Sequence, residues 1–131
     1  MPITFSINLN DGYLTAAYTG KISDEEMMAS WKSFFQGGEW IPGLNELADL
    51  SEADLTGITA GGLESLVSYA KTIYATHNIH SVKIAIYAPK PLHFGLARMY
   101  EAITYNQPQS VEVFRSLQEA VSWIKEGATQ E

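Results

Sequence analysis

Every histidine of the chain, His77, His80 and His93, falls in one stretch with Lys83, Lys90 and Arg98, and imidazole, ammonium and guanidinium groups are those that pair with a carboxylate or a phosphate. A strand predicted over residues 82–88 runs into a helix opened by Pro91, and ligands of open α/β sheets gather beyond the carboxyl ends of the strands. Lys90 and His93 would flank that helix start. Arg98 has Glu101 at i+3, so it reads either as a ligand group or as half of a surface pair worth about 0.2–0.5 kcal/mol. His77 and His80 lack the i, i+4 spacing of a helical metal pair, and there is no cysteine, so no metal, disulfide or thiol chemistry is expected.

Thr59-Ala60-Gly61-Gly62 is the second candidate. At a helix start, glycines let a ligand approach bare amides, and the dipole favours an anion; Thr59 and Gly61 would then bind it. The same residues also read as a capped helix packed closely on a sheet, and the Lys-Ser/Thr of a phosphate-binding loop is missing. Glu46, Asp49, Glu52 and Asp54 offer carboxylates for acid–base work, but nothing in the sequence makes any two converge, and the cluster reads as a solvated acidic loop. There is no Gly-x-Ser-x-Gly elbow. No residue is therefore assigned a catalytic role. Trp31, Phe34, Phe35 and Trp40 supply an aromatic cluster that suits a core, an apolar cleft or, through Trp31 and Trp40, a dimer interface.

These residues must be positioned by one domain. The chain has 131 residues, 46% of them hydrophobic and 18% charged, with 8 basic against 15 acidic side chains and a net charge of −7. That balance argues against nucleic acid and anionic membrane. The excess lies in residues 1–64, where 10 acids face 2 bases, whereas residues 65–131 hold 5 acids and 6 bases. A small anionic ligand in the second half remains compatible with it. The N-terminal residues lack a basic, apolar leader and no apolar run is long enough to span a membrane, so a cytoplasmic protein is expected.

Ile3, Phe5, Ile7 and Leu9 alternate as a half-buried strand, and Asn10-Asp11-Gly12 turns the chain into a second strand over residues 13–19. Ser23 and Glu26 have capping-box spacing, and the helix they open carries Met27, Met28, Trp31, Phe34 and Phe35 inward before Gly37-Gly38. Residues 44–50 read as the third strand and residues 51–57 as an irregular acidic stretch. A helix capped by Thr59 buries Leu63, Leu66, Val67, Ala70, Ile73 and Tyr74, with Asn78 just past its end. Residues 82–88 read as a central strand covered on both faces. The helix after it would bury Leu92, Leu96, Met99, Tyr100 and Ile103. A short strand over residues 111–114 precedes a helix that Ser116 and Glu119 cap and that turns Leu117, Ala120, Val121 and Ile124 inward. The order ββαβαβαβα implies a mostly parallel sheet with right-handed crossovers and an antiparallel edge hairpin. It forms one domain over residues 1–131, with 126–131 a frayed tail.

That order, with Asp49-Leu50-Ser51, Gly61-Gly62-Leu63, the run from Phe94 to Glu101 and Val113-Phe114-Arg115-Ser116, resembles the STAS-like domains typified by the sporulation anti-sigma-factor antagonist. Within them it is similar to the small bacterial SpoIIAA-like (STAS/SEC14) group of uncharacterised function. The resemblance implies a four- or five-stranded sheet with packed helices. The antagonists carry a phosphorylated serine at the start of the helix after the third strand; here Ala60 stands at that place, and Thr59 is the one displaced acceptor. The expectation is a non-enzymatic STAS-like domain, without cofactor, that binds a partner protein or a small amphipathic or anionic ligand near Lys90, His93 and Arg98. An enzyme built from Asp49, His93 and Arg98 is the alternative, and a homodimer held by Trp31 and Trp40 is a third reading.

Overall fold

A computed structural model of the chain describes residues 2–105 and 107–126; the frayed tail expected at the C-terminus lies, from Gly127 on, outside them. The elements run β1 (Ile3–Asn8), β2 (Tyr13–Lys21), α1 (Asp24–Gln36), β3 (Asn45–Asp54), α2 (Ala60–Thr76), β4 (Val82–Tyr87), α3 (Pro91–Ile103), β5 (Gln109–Phe114) and α4 (Leu117–Lys125). The strands form a single sheet in the order β1-β2-β3-β4-β5, antiparallel between β1 and β2 and parallel elsewhere. Each parallel step advances one place in the same direction. Right-handed crossovers therefore stack α1, α2 and α3 on one face, where α1 meets α2 and α2 meets α3. α4, which follows the last strand, packs on the other face through Ala120 and Ile124 against Leu47 and Ala85.

Local signals explain most boundaries. The Ser23 hydroxyl accepts the Glu26 N–H at 3.1 Å while the Glu26 carboxylate accepts the Ser23 N–H at 3.0 Å, so both bonds of the capping box are made. Asn78 takes φ 59° one place beyond His77, the C-cap of α2, a conformation asparagine tolerates better than most residues. Pro91 opens α3 with the fixed φ the first helical turn needs.

Three expectations are corrected. Residues 51–54 are strand, not irregular: β3 runs on to Asp54, and its register against β2 shifts between Ala17↔Asp49 and Thr19↔Glu52. A bulge there carries one extra residue on β3, which turns Ala53 toward the three-helix face and lets an acidic stretch keep its pairing. Leu9 lies in the turn after β1, 69% exposed. In α3, Leu96, Tyr100 and Ile103 pack on the core as expected, but the buried residues of that face are His93 and Ala97, and Leu92 and Met99 point outward. β4 pairs with β3 no further than Asp49↔Tyr87, so the carbonyls of β3 beyond that point lack a strand partner on this side. The buried His93 imidazole donates to Ala53 O there at 2.8 Å, which sets His93 on the inner face of α3.

Candidate functional site

Between the sheet and α1, α2 and α3 lies a chamber of about 70 Å³. Its floor is Ala48, Leu50, Ile84 and Ile86, and its roof includes Trp31, Leu63, Leu66 and Leu96. Five lining residues carry polar groups: Tyr18 from β2, Trp31 from α1, Glu46 from β3, Tyr74 from α2 and Tyr100 from α3. Among the described residues, no Lys, Arg or His lines it.

Glu46 reaches this place by strand alternation. Positions 46, 48 and 50 share one face, and the flanking register partners of Glu46 are Leu14 on β2 and Ile84 on β4, both buried. The residue keeps some accessible surface and lines the chamber. Burial raises its pKa from 4.5 to about 8, with no hydrogen bond or cation opposing the shift. Desolvation penalises the charged form, so the carboxyl is mostly neutral at pH 7. The Tyr18 phenol is likewise pushed up, by burial first and then by the neighbouring Glu46, and burial followed by Glu46 raises Tyr74 and Tyr100 as well. Glu46 is thus within electrostatic reach of all three phenols. The Trp31 indole N–H donates to the Tyr18 hydroxyl at 2.9 Å, which leaves the phenolic hydrogen of Tyr18 for an acceptor. At the Tyr100 end, the buried Gln109 amide approaches the phenol without making a hydrogen bond of good geometry.

The residues singled out in the sequence lie elsewhere. Thr59 caps α2, its hydroxyl oxygen accepting the Gly62 N–H at 3.0 Å. The Thr59 N–H (3.0 Å) and hydroxyl (2.6 Å) both donate to the Asp24 carboxylate. The start of α2 is therefore filled by an anion of the protein's own, brought from the first turn of α1. Gly62 makes room for it, since a Cβ there would run into that carboxylate, whereas a Cβ on Gly61 meets only the Thr59 hydroxyl, at 3.8 Å. Gly62→Ala is expected to displace Asp24 and cost about 1–3 kcal/mol, as overpacking does, while Gly61→Ala costs less; guanidinium denaturation of both variants measures the difference.

Lys90 is exposed at the N-cap of α3 and caps nothing with its side chain. Arg98 is exposed, and its Nε pairs with Glu101 at 3.0 Å. His93 is 3% exposed; its Nε2–H donates to Ala53 O at 2.8 Å, and Nδ1 has no partner among the described residues. Asp49 has the strand parity of Leu47, on the face α4 covers, and accepts from the Ser51 N–H and hydroxyl at 3.0 and 2.7 Å. The sheet separates Asp49 from His93, so Asp49, His93 and Arg98 do not converge. Trp31 is buried, 3% exposed, under Phe5 and Phe34. Trp40 is half-buried, edge-on to Phe35 and His77.

Glu46 lies within the strand expected over residues 44–50 and turns to the chamber, so the solvated-loop reading of its acidic cluster does not hold for it. The signal was present in its phase: Glu46 alternates with Ala48 and Leu50 on a strand, not with the acids that follow. No helix among the described residues is long and apolar enough to cross a membrane.

No family model matches the chain, and no curated protein does. Among solved structures, the chain is similar to an uncharacterized protein of the DUF3478 family with a SpoIIAA-like fold from Shewanella loihica PV-4. The two share 19% identity with a TM-score of 0.55, over 93% of this chain and 91% of that one. The fold is thus SpoIIAA-like, as its strand order and helix placement already indicate.

Proposed function

We propose that the protein is a non-catalytic, STAS-like binding domain whose ligand is a small amphipathic molecule held in the interior chamber. The observation that carries this reading is the Glu46 carboxyl, set among aromatic and aliphatic side chains on the chamber lining, where desolvation raises its pKa. Desolvation penalises the charged form of such a carboxyl, and a ligand that supplies a hydrogen-bond partner or counter-charge offsets that penalty. Apolar pockets with a few convergent polar groups are the usual form of small-molecule sites. At about 70 Å³ the chamber is half the ~150 Å³ that holds a benzene ring, so the enclosed part of the ligand is a short chain or small branch of about three carbons. Lys90, exposed at the start of α3, is available to a larger polar end outside, whereas Arg98 is paired with Glu101; His93, tied to Ala53, holds α3 against β3.

n-Propanol tests this. Specific occupancy raises the melting temperature saturably, because a ligand of the folded state alone stabilises it. Ala97→Met, which extends a flexible side chain into the chamber, is expected to abolish the rise. A melting temperature lowered equally in both proteins, the ordinary action of an alcohol, overturns the reading.

A further inference from the structure

We infer that the chamber's preferred occupant is a compact aliphatic amine, bound as its ammonium ion against the Glu46 carboxylate among aromatic walls. The inference rests on the chamber being a ligand site and names the class of ligand. Apart from Glu46, the lining is aliphatic or aromatic, with Trp31, Phe35 and three tyrosines, and it contains no basic side chain among the described residues. An anion would meet a carboxyl and no counter-charge. A neutral hydrocarbon would leave Glu46 as desolvated as before. An ammonium brings both charge and hydrogen-bond donors to the carboxylate, and aromatic surroundings favour a cation further. The net charge of −7 attracts the same class of molecule.

Binding then moves one proton. The neutral carboxylic acid and the protonated amine become a carboxylate–ammonium pair, and the proton leaves Glu46 for solvent. The groups that face Glu46 are Tyr18 from β2, Tyr74 from α2 and Tyr100 from α3, while α1 contributes Met27, Trp31 and Phe35, and β4 contributes Ile84 and Ile86. Each phenol is raised above its ordinary value and stays neutral at physiological pH, so Glu46 alone among them titrates there.

Isothermal titration of n-propylamine and of n-propanol into the wild-type chain and Glu46→Gln, from pH 6 to pH 8, tests the inference. The amine stays protonated over this range, as a lysine does. Its apparent affinity for the wild type is expected to tighten about fifty-fold from pH 6 to pH 8, following the fraction of Glu46 ionised. At pH 6 the heat depends on the buffer, reporting about one proton released per amine bound. In Glu46→Gln the amine loses at least tenfold in affinity at pH 8 and its pH dependence vanishes, while n-propanol still binds. If both ligands bind wild type and variant with equal, pH-independent affinity, the amine inference fails and the chamber reading stands. If neither ligand binds the wild type, both fail.

Discussion

Glu46→Gln is expected to be more stable than the wild type by an amount that grows with pH and reaches about 3 kcal/mol at pH 7. In the folded chain the Glu46 pKa is raised from 4.5 to about 8. Below pH 4.5 the group is neutral in both folded and unfolded states and contributes no pH dependence. Between 4.5 and about 8 the unfolded chain releases the proton and the folded chain holds it, so wild-type stability falls by about 1.4 kcal/mol per pH unit. Above the folded value the loss is complete. Other carboxylates, such as Asp54, whose pKa its hydrogen bonds from Thr56 lower, act in the opposite sense at lower pH. The informative quantity is therefore the difference between the two proteins. Urea denaturation at half-unit steps from pH 4 to pH 9 measures it, and a difference independent of pH would place Glu46 in a solvated environment.

Trp31→Ala is expected to cost about 4 kcal/mol, within the range for deleting a buried Trp. Trp31 packs edge-on to Phe5 with centroids 4.9 Å apart and to Phe34 at 6.1 Å, and its indole holds the Tyr18 hydroxyl. Removing it opens the roof of the chamber and leaves that hydroxyl buried without its donor. Total stabilities of roughly 5–15 kcal/mol make this a large fraction of what holds the fold. Trp31→Phe keeps the ring contacts but loses the hydrogen bond, at a cost of about 1–2 kcal/mol. Denaturant midpoints of both variants check the order. A loss below about 1 kcal/mol for the alanine variant would indicate that Trp31 is not part of the core.

Much of the architecture is legible in residue types. The Ser23–Glu26 box, Thr59, Asn78 and Pro91 each mark a helix end by a local mechanism, and alternation together with a nearly continuous apolar run separates β1 from the central β4. Phase is harder to read where packing decides it. Leu92 and Met99 look like core residues by type, yet they face solvent, and the buried His93 on the inner face donates to the Ala53 carbonyl at the end of β3. The strand at residues 51–54 is hidden because its side chains are acidic, while what fixes it is backbone pairing to β2 across a bulge. Asp24 and Thr59 stand 35 positions apart, and no local pattern shows that the first turn of α1 supplies the anion at the start of α2. Glu46 is hard to tell from the acids of residues 49–54 for a related reason. Its type belongs to the surface and its strand phase to the interior, and the conflict between the two marks the site.

The central claim is that the chamber beneath α1, α2 and α3 takes a small ligand. Methyl-resolved NMR of the chain titrated with n-propanol tests it most directly. The account predicts saturable shifts confined to the chamber methyls of Leu50, Leu63, Leu66, Ile84 and Ile86, lost together in Ala97→Met. Shifts confined to the exposed Leu9, Leu92 and Leu117, unsaturable and unchanged by that substitution, would contradict it.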